Sequence, residues 1–164
     1  MDNHRFCIKR GKCMKICLAA SSGGPLEEIS CLKPIADKND SFLVTEKTTQ
    51  ESTAWGENTY YMRQINRKEK WFIFHFIAAF FKAGKIIRKE KPDCIISTGA
   101  LITYPLCIWC KIRRKKIIYI ESFARVDEPS LTGKLMYPIA DLFLVQWEDM
   151  LKIYPKAIYD GGIF

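Results

Sequence analysis

KICLAASSGGPL, residues Lys15 to Leu26, is the stretch on which the fold turns. A short apolar run empties into Ser21, Ser22, Gly23 and Gly24, and Pro25 then opens a helix with Glu27 and Glu28 close behind it. Proline suits the first helical position, where its missing N–H costs nothing, and the helix dipole favours acidic side chains there. The stretch therefore reads as a β-strand, a tight glycine turn and a helix. Backbone N–H groups at such a turn lack helical partners and can receive a phosphate or another anion. The GxGxxG and GxxxxGKS/T spacings of dinucleotide and P-loop sites are missing, and an empty strand-to-helix turn is the plain alternative. A second polar turn, Ser97, Thr98 and Gly99, follows another apolar run. Two such turns after two strands point to one cleft edge.

Outward from this turn the chain alternates strand and helix. Strands are expected at 15–20, 41–45, 58–63, 93–97, 116–120, 141–145 and 156–159, and helices at 25–36, 70–90, 100–111, 131–138 and 147–153. That order predicts an α/β, Rossmann-like, mainly parallel sheet with helices on both faces. In such sheets ligands sit beyond the carboxyl ends of the strands, where both polar turns fall. The 164 residues suit one domain. Residues 1–13 (MDNHRFCIKRGKC) are polar, basic and patternless, so a flexible extension is expected before a single domain spanning 14–164 that begins at Met14. The apolar run behind them is too short for a signal peptide. Residues 46–58 (EKTTQESTAWGEN) have the polarity of a mobile loop.

Twenty-six basic residues against 18 acidic leave a charge of +8, which implies an anionic partner: nucleic acid, a phospholipid surface or a phosphorylated substrate. No RNP, KH or helix-turn-helix pattern is present, so nucleic acid is not expected. Seven cysteines, odd in number and scattered through apolar segments, are those of a reduced, cytosolic chain. Cys107 and Cys110 form a C-x-x-C, but it lies inside the apolar run LITYPLCIWC and has no second pair to complete a zinc site; packing is the better reading. The two histidines, His4 and His75, have no ligand spacing, and neither metal nor cofactor is expected.

Between Asn66 and Pro92 runs NRKEKWFIFHFIAAFFKAGKIIRKEKP. Its apolar core, Trp71 to Phe81, is about eleven residues long against the roughly twenty that cross a bilayer, so it does not span. It carries Trp71, Phe72, Phe74, Phe76, Phe80 and Phe81, flanked by Arg67, Lys68, Lys70, Lys82, Lys85, Arg88, Lys89 and Lys91. Aromatic rings with basic flanks fit a helix lying on anionic lipid, with Trp71, Phe72, Lys82, Lys85, Arg88 and Lys89 as the contacts. A core helix with solvated ends is the alternative.

A third constellation is IYIESFARVDEPSLTGKLMYPIAD, from Ile118. Glu121 emerges at the carboxyl end of an apolar strand, and Ser122, Arg125, Asp127, Ser130 and Thr132 follow. Glu121 is a candidate general base, a hydroxyl acceptor, or the partner of Arg125; arginine itself grips phosphate bidentately. Ser130 reads as a helix N-cap.

SSGG after the first strand, ISTGA after a middle one, the block YIESFARVDEPSLTGKLMYPIADLFLVQW and the ending YPKAIYDGGIF together resemble a family of bacterial capsular and exopolysaccharide proteins. That family is related to the membrane-anchoring subunit of the eukaryotic two-subunit N-acetylglucosaminyltransferase, and the likeness runs over almost all of 14–164. The resemblance implies the amino-terminal half of a split GT-B glycosyltransferase. Such a half recruits a lipid-diphosphate-linked saccharide acceptor at the cytoplasmic face of the membrane, while a separate subunit binds the nucleotide sugar and is needed for activity. It implies acceptor or diphosphate contacts from Ser21, Ser22, Gly23, Gly24, Ser97, Thr98, Gly99, Ser122, Arg125 and Thr132. It implies partner contacts from Gln146, Trp147, Tyr154, Gly161, Gly162, Ile163 and Phe164. The family commonly has His after the two glycines; Pro25 stands there instead, which leaves Glu121 as the candidate catalytic base. The eukaryotic relatives carry an amino-terminal membrane helix, and with no comparable stretch in this sequence the expected attachment is peripheral. A free-standing small α/β transferase and a non-catalytic lipid-binding scaffold are the competing readings.

Overall fold

The computed structural model describes residues 14–47, 58–64 and 70–163. Seven strands carry the chain: β1 (Lys15–Ala19), β2 (Asp40–Glu46), β3 (Thr59–Met62), β4 (Cys94–Ser97), β5 (Lys116–Ile120), β6 (Leu142–Val145) and β7 (Ile158–Tyr159). They form one sheet in the order β3-β2-β1-β4-β5-β6-β7, with every neighbouring pair parallel. The order reverses between β1 and β4, the place where open α/β sheets bind ligands.

Side chains along a strand alternate between faces. Cys17 and Ala19 of β1 therefore join one core with Phe42, Val44, Ile95, Ile117, Tyr119 and Phe143, covered by α3 (Phe72–Glu90), α4 (Tyr104–Ile112) and α5 (Leu131–Met136). Ile16, Leu18 and Ala20 join the opposite core with Leu43, Ile96 and Ile120, covered by α1 (Gly24–Ser30) and α2 (Lys33–Ala36). The expected doubly covered parallel sheet is present. Gly84 lets α3 and α4 meet: a Cβ there would stand 2.6 Å from the Trp109 ring, whose Nε1 donates to Phe80 O at 2.9 Å.

Three expected helices differ. The helix expected over 25–36 ends at Ser30 and restarts with Pro34 in the first turn of α2, because a proline inside a continuous helix clashes with the carbonyl four residues back. Residues Leu101–Thr103 form a 3-10 turn before α4, and the helix expected over 147–153 is a 3-10 turn over Glu148–Lys152. The strand expected over 156–159 is only Ile158–Tyr159. The extension 1–13, residues 48–57 of the expected loop, and Arg67 and Lys68 lie outside the described residues. Cys107 and Cys110 are buried and unbridged, and burial pushes the Cys110 thiol up to about 12 and that of Cys107 well up, which suits packing rather than redox chemistry.

Candidate functional site

The carboxyl edge of the sheet gathers most of the residues singled out above. After β1 the chain turns at Gly23, whose φ of +86° suits glycine, and the carbonyl of Gly23 accepts from Leu26 N at 2.9 Å to start α1. A Cβ at Gly23 or Gly24 would meet nothing within 4 Å, so the turn is open to a ligand. Beside it, Ser22 Oγ donates to Glu46 Oε2 at 3.3 Å. Burial raises the Glu46 carboxyl above its ordinary range, opposed by the hydrogen bonds from Ser22.

The β4 turn is different. Ser97 and Thr98 are buried: Ser97 Oγ donates to Thr103 Oγ1 at 2.8 Å, and Thr98 Oγ1 donates to Pro25 O at 2.7 Å. Of these hydroxyls, expected to touch a ligand, that of Thr98 ties the two turns together and that of Ser97 is taken up by the 3-10 turn that follows β4. Gly99, at φ +62°, packs close over the Tyr119 hydroxyl. Thr132, another expected contact, is buried in α5. Arg125 stands exposed, while Ser122 Oγ is turned inward to Glu28.

Glu121 is 1 % exposed. Its Oε1 accepts from Ser122 N at 3.1 Å and Tyr119 OH at 3.4 Å, and its Oε2 from Tyr154 OH at 3.2 Å and Ser130 N at 3.4 Å. Ser130 caps α5 as expected, its Oγ accepting from Gly133 N at 2.8 Å. Gly133 is the close-approach position: a Cβ there would lie 1.9 Å from Glu121 Oε2. Burial first, and then the Glu121 charge, push the Tyr119 and Tyr154 phenols up, so both stay protonated as donors. This geometry holds the 122–130 loop to α5, and no Arg125 ion pair is part of it among the described residues.

Glu28, which in the sequence is only part of a helix start, joins this edge in the structure. It is buried, and its partners Ser122, Phe123 and Gln146 lie 94 to 118 residues along the chain, so no local pattern announces them. Burial raises its carboxyl, against the hydrogen bonds from Phe123 N, Ser122 and Gln146. At the far end of the edge, Trp147 Nε1 donates to Phe123 O at 2.7 Å with the two rings 4.8 Å apart. Ile163 N donates to Gln146 Oε1 at 3.1 Å, and Gly162 lies along Phe123. Gln146 and Tyr154 are buried: Gln146 holds Ile163 from beneath, while Tyr154 packs on Tyr137 and Phe143 and donates to Glu121. Phe164 lies outside the described residues.

Along α3, Trp71, Ile73, Phe74, Ile77 and Phe81 are exposed, followed by exposed Lys82, Lys85, Arg88 and Lys89. Phe72 is half-buried and stacks on Phe76. Among the described residues no helix is long and apolar enough to cross a membrane, and no group of three or more His, Cys, Asp or Glu could hold a metal ion.

The family described as "Oligosaccharide biosynthesis protein Alg14 like" matches residues 34–163. The chain belongs to this family. Human "UDP-N-acetylglucosamine transferase subunit ALG14" is 28 % identical over 140 residues, covering 78 % of this chain and 64 % of that protein. The Yarrowia lipolytica protein of the same name is 32 % identical over 133 residues, 76 % and 62 % of the two chains. That of Kluyveromyces lactis is 50 % identical over 68 residues, 42 % of this chain and 28 % of the other. The chain thus spans less than two thirds of the length of these relatives. They are eukaryotic subunits, and the capsular and exopolysaccharide setting expected from sequence finds no support in them. Among solved structures, Acinetobacter baumannii MurG superposes with a TM-score of 0.69 at 13 % identity, over 83 % of this chain and 42 % of that one. UDP-N-acetylglucosamine 2-epimerase from Rickettsia bellii gives 0.71 at 14 %, over 92 % and 45 %. These establish the Rossmann-like fold as one half of a GT-B architecture.

Proposed function

We propose that this chain is the acceptor-binding, membrane-recruiting subunit of a two-subunit N-acetylglucosaminyltransferase that extends a lipid-diphosphate-linked saccharide. The observation that carries this is the pairing of Alg14-family membership with a fold shared with MurG, in which the Gly23–Gly24 turn at the carboxyl edge is open to a ligand. A partner subunit binds the nucleotide sugar. The open Ser21–Gly24 turn, Gly99 and exposed Arg125 receive the acceptor's diphosphate, while Glu121 keeps the loop that presents Arg125 in place and the partner supplies the base. The apolar and basic face of α3 rests on anionic lipid at the cytoplasmic side, each nearby Lys or Arg contributing about 1 kcal/mol. The rim of Phe123, Trp147 and residues 160–163 meets the partner, with Trp147 as its aromatic anchor.

The test is co-purification of the chain with a nucleotide-sugar-binding partner, followed by transfer from labelled UDP-N-acetylglucosamine to a lipid-diphosphate-linked saccharide. Transfer should require both proteins. Transfer by this chain alone would establish the free-standing enzyme, and partner binding without any transfer would establish the scaffold.

A further inference from the structure

Helix α1 is tied to the segments that follow β4, β5 and β6. At its start the open glycine turn faces solvent, and Pro25 O takes the Thr98 hydroxyl from the β4 turn. One turn later Glu28 reaches the chain beyond β5 and β6. Its Oε1 accepts from Ser122 Oγ and from Phe123 N, both at 3.0 Å, and its Oε2 accepts from Gln146 Nε2 at 3.1 Å. Gln146 passes the constraint on: Nε2 also donates to Glu121 O at 3.0 Å, and Oε1 accepts from Ile163 N at 3.1 Å. Phe123 passes it on as well, through its carbonyl to Trp147. One carboxylate, 2 % exposed, thus sets the register of the loop after β5, the end of β6 and the segment 160–163. No cation among the described residues is bonded to it; its partners are neutral donors. A desolvated charge satisfied only by three donors is intolerant of losing any of them.

The geometry points to Glu28 as the positioning residue of the partner-docking rim, fixing Phe123, Trp147 and residues 160–163 in register from the same helix that carries the acceptor turn. This rests on the subunit reading proposed above. Docking and acceptor binding then share one rigid element, so a partner seated on the rim finds the acceptor turn at a fixed distance. Interfaces whose backbone is already in place on binding lose less affinity to ordering.

Glu28→Gln isolates this role because it keeps the shape. The amide oxygen still serves Ser122 and Phe123, but the amide N–H₂ now faces the N–H₂ of Gln146. Gln146 must turn over, which sets its own N–H₂ against Ile163 N and releases that segment. In the full chain titrated with the nucleotide-sugar-binding partner, E28Q should raise the partner Kd at least tenfold. Its circular dichroism should be unchanged, and its kcat should recover when the partner is saturating. The reciprocal double variant E28Q/Q146E restores donor against acceptor at both contacts, giving up only the bond to Glu121 O, and should regain most of the lost affinity. Q146E alone sets two carboxylates face to face and should bind as poorly as E28Q. In the isolated chain, the amides of Phe123 and Ile163 should exchange faster in E28Q and slow again in the double variant. An unchanged partner Kd in E28Q, or no recovery in the double variant, overturns the role of Glu28. Failure of the wild-type chain to bind any such partner overturns the subunit reading instead.

Discussion

Gly133→Ala should be far more damaging than a single added methyl suggests. Position 133 lies inside α5, where alanine ordinarily gains about 1 kcal/mol over glycine. Here the new Cβ would sit 1.9 Å from Glu121 Oε2 and 2.7 Å from Tyr154 OH. An ordinary contact begins near 3.4 Å, so the carboxylate must retreat by about 1.5 Å. Such a shift breaks the bonds from Tyr154 OH and Ser130 N to Oε2, now 3.2 and 3.4 Å long. Hydrogen bonds to a charged group are worth about 1.5–3 kcal/mol each, so the loss is on the order of 3–6 kcal/mol. Subtracting the helical gain leaves a destabilisation of about 2–5 kcal/mol, which in a domain of this size lowers Tm by roughly 10 °C. Calorimetry of G133A against wild type reads this directly. In a Glu121→Ala background the main obstacle is gone, and the further cost of Gly133→Ala should fall to less than half. A G133A protein within about 1 kcal/mol of wild type would refute the packing of Gly133 on Glu121. An equal increment in both backgrounds would place the clash elsewhere.

Reversing Lys82, Lys85, Arg88 and Lys89 to Glu should abolish salt-sensitive binding to anionic vesicles in a flotation assay; undiminished binding would return α3 to a purely structural role. Deleting residues 160–164 should leave a folded, lipid-binding protein that no longer co-purifies with its partner, and undiminished pull-down would move the docking surface elsewhere. The hydrogen bond from Lys15, at 2.7 Å, and then the one from Tyr60 hold the Glu90 carboxyl below its usual range, so the stability it contributes is present above the ordinary carboxylate pKa and lost as pH falls through the depressed value. Glu90→Gln should therefore cost about 1 kcal/mol at neutral pH, and the gap to wild type should close in acid; a gap independent of pH in urea titrations would contradict the pairing. Burial raises the Glu46 carboxyl, so its stabilising protonated form is present below the ordinary carboxylate pKa and lost as pH rises through the raised one. E46Q should gain on wild type across that window, and a protein whose relative stability ignores pH there would show Glu46 to be solvated.

Local chemistry made the architecture legible. The strand, glycine turn and proline-led helix at 15–26 is a short-range pattern, and apolar runs of strand length separated by helical stretches admit little besides a parallel sheet. The Ser130 cap, the buried Cys107 and Cys110, and the apolar face of α3 flanked by lysine and arginine could be read for the same reason: each depends on residues a few positions apart. Sequence also placed Glu121 at the end of its strand.

Which way a side chain turns at the carboxyl edge was decided only by tertiary structure. Ser97, Thr98 and Thr132 looked like ligand contacts because they follow strands or open helices, yet neighbouring elements claim their hydroxyls or bury them. Glu121 looked like a base; it is enclosed by Tyr119, Ser130 and Tyr154 because Gly133 allows α5 to close over it. Glu28 looked like one acidic residue of a helix start, and its three partners come from strand ends far along the chain. A sequence specifies which groups carry charge and hydroxyls. Whether a group faces a ligand or the protein depends on donors brought up by other strands, which appear only when the sheet closes.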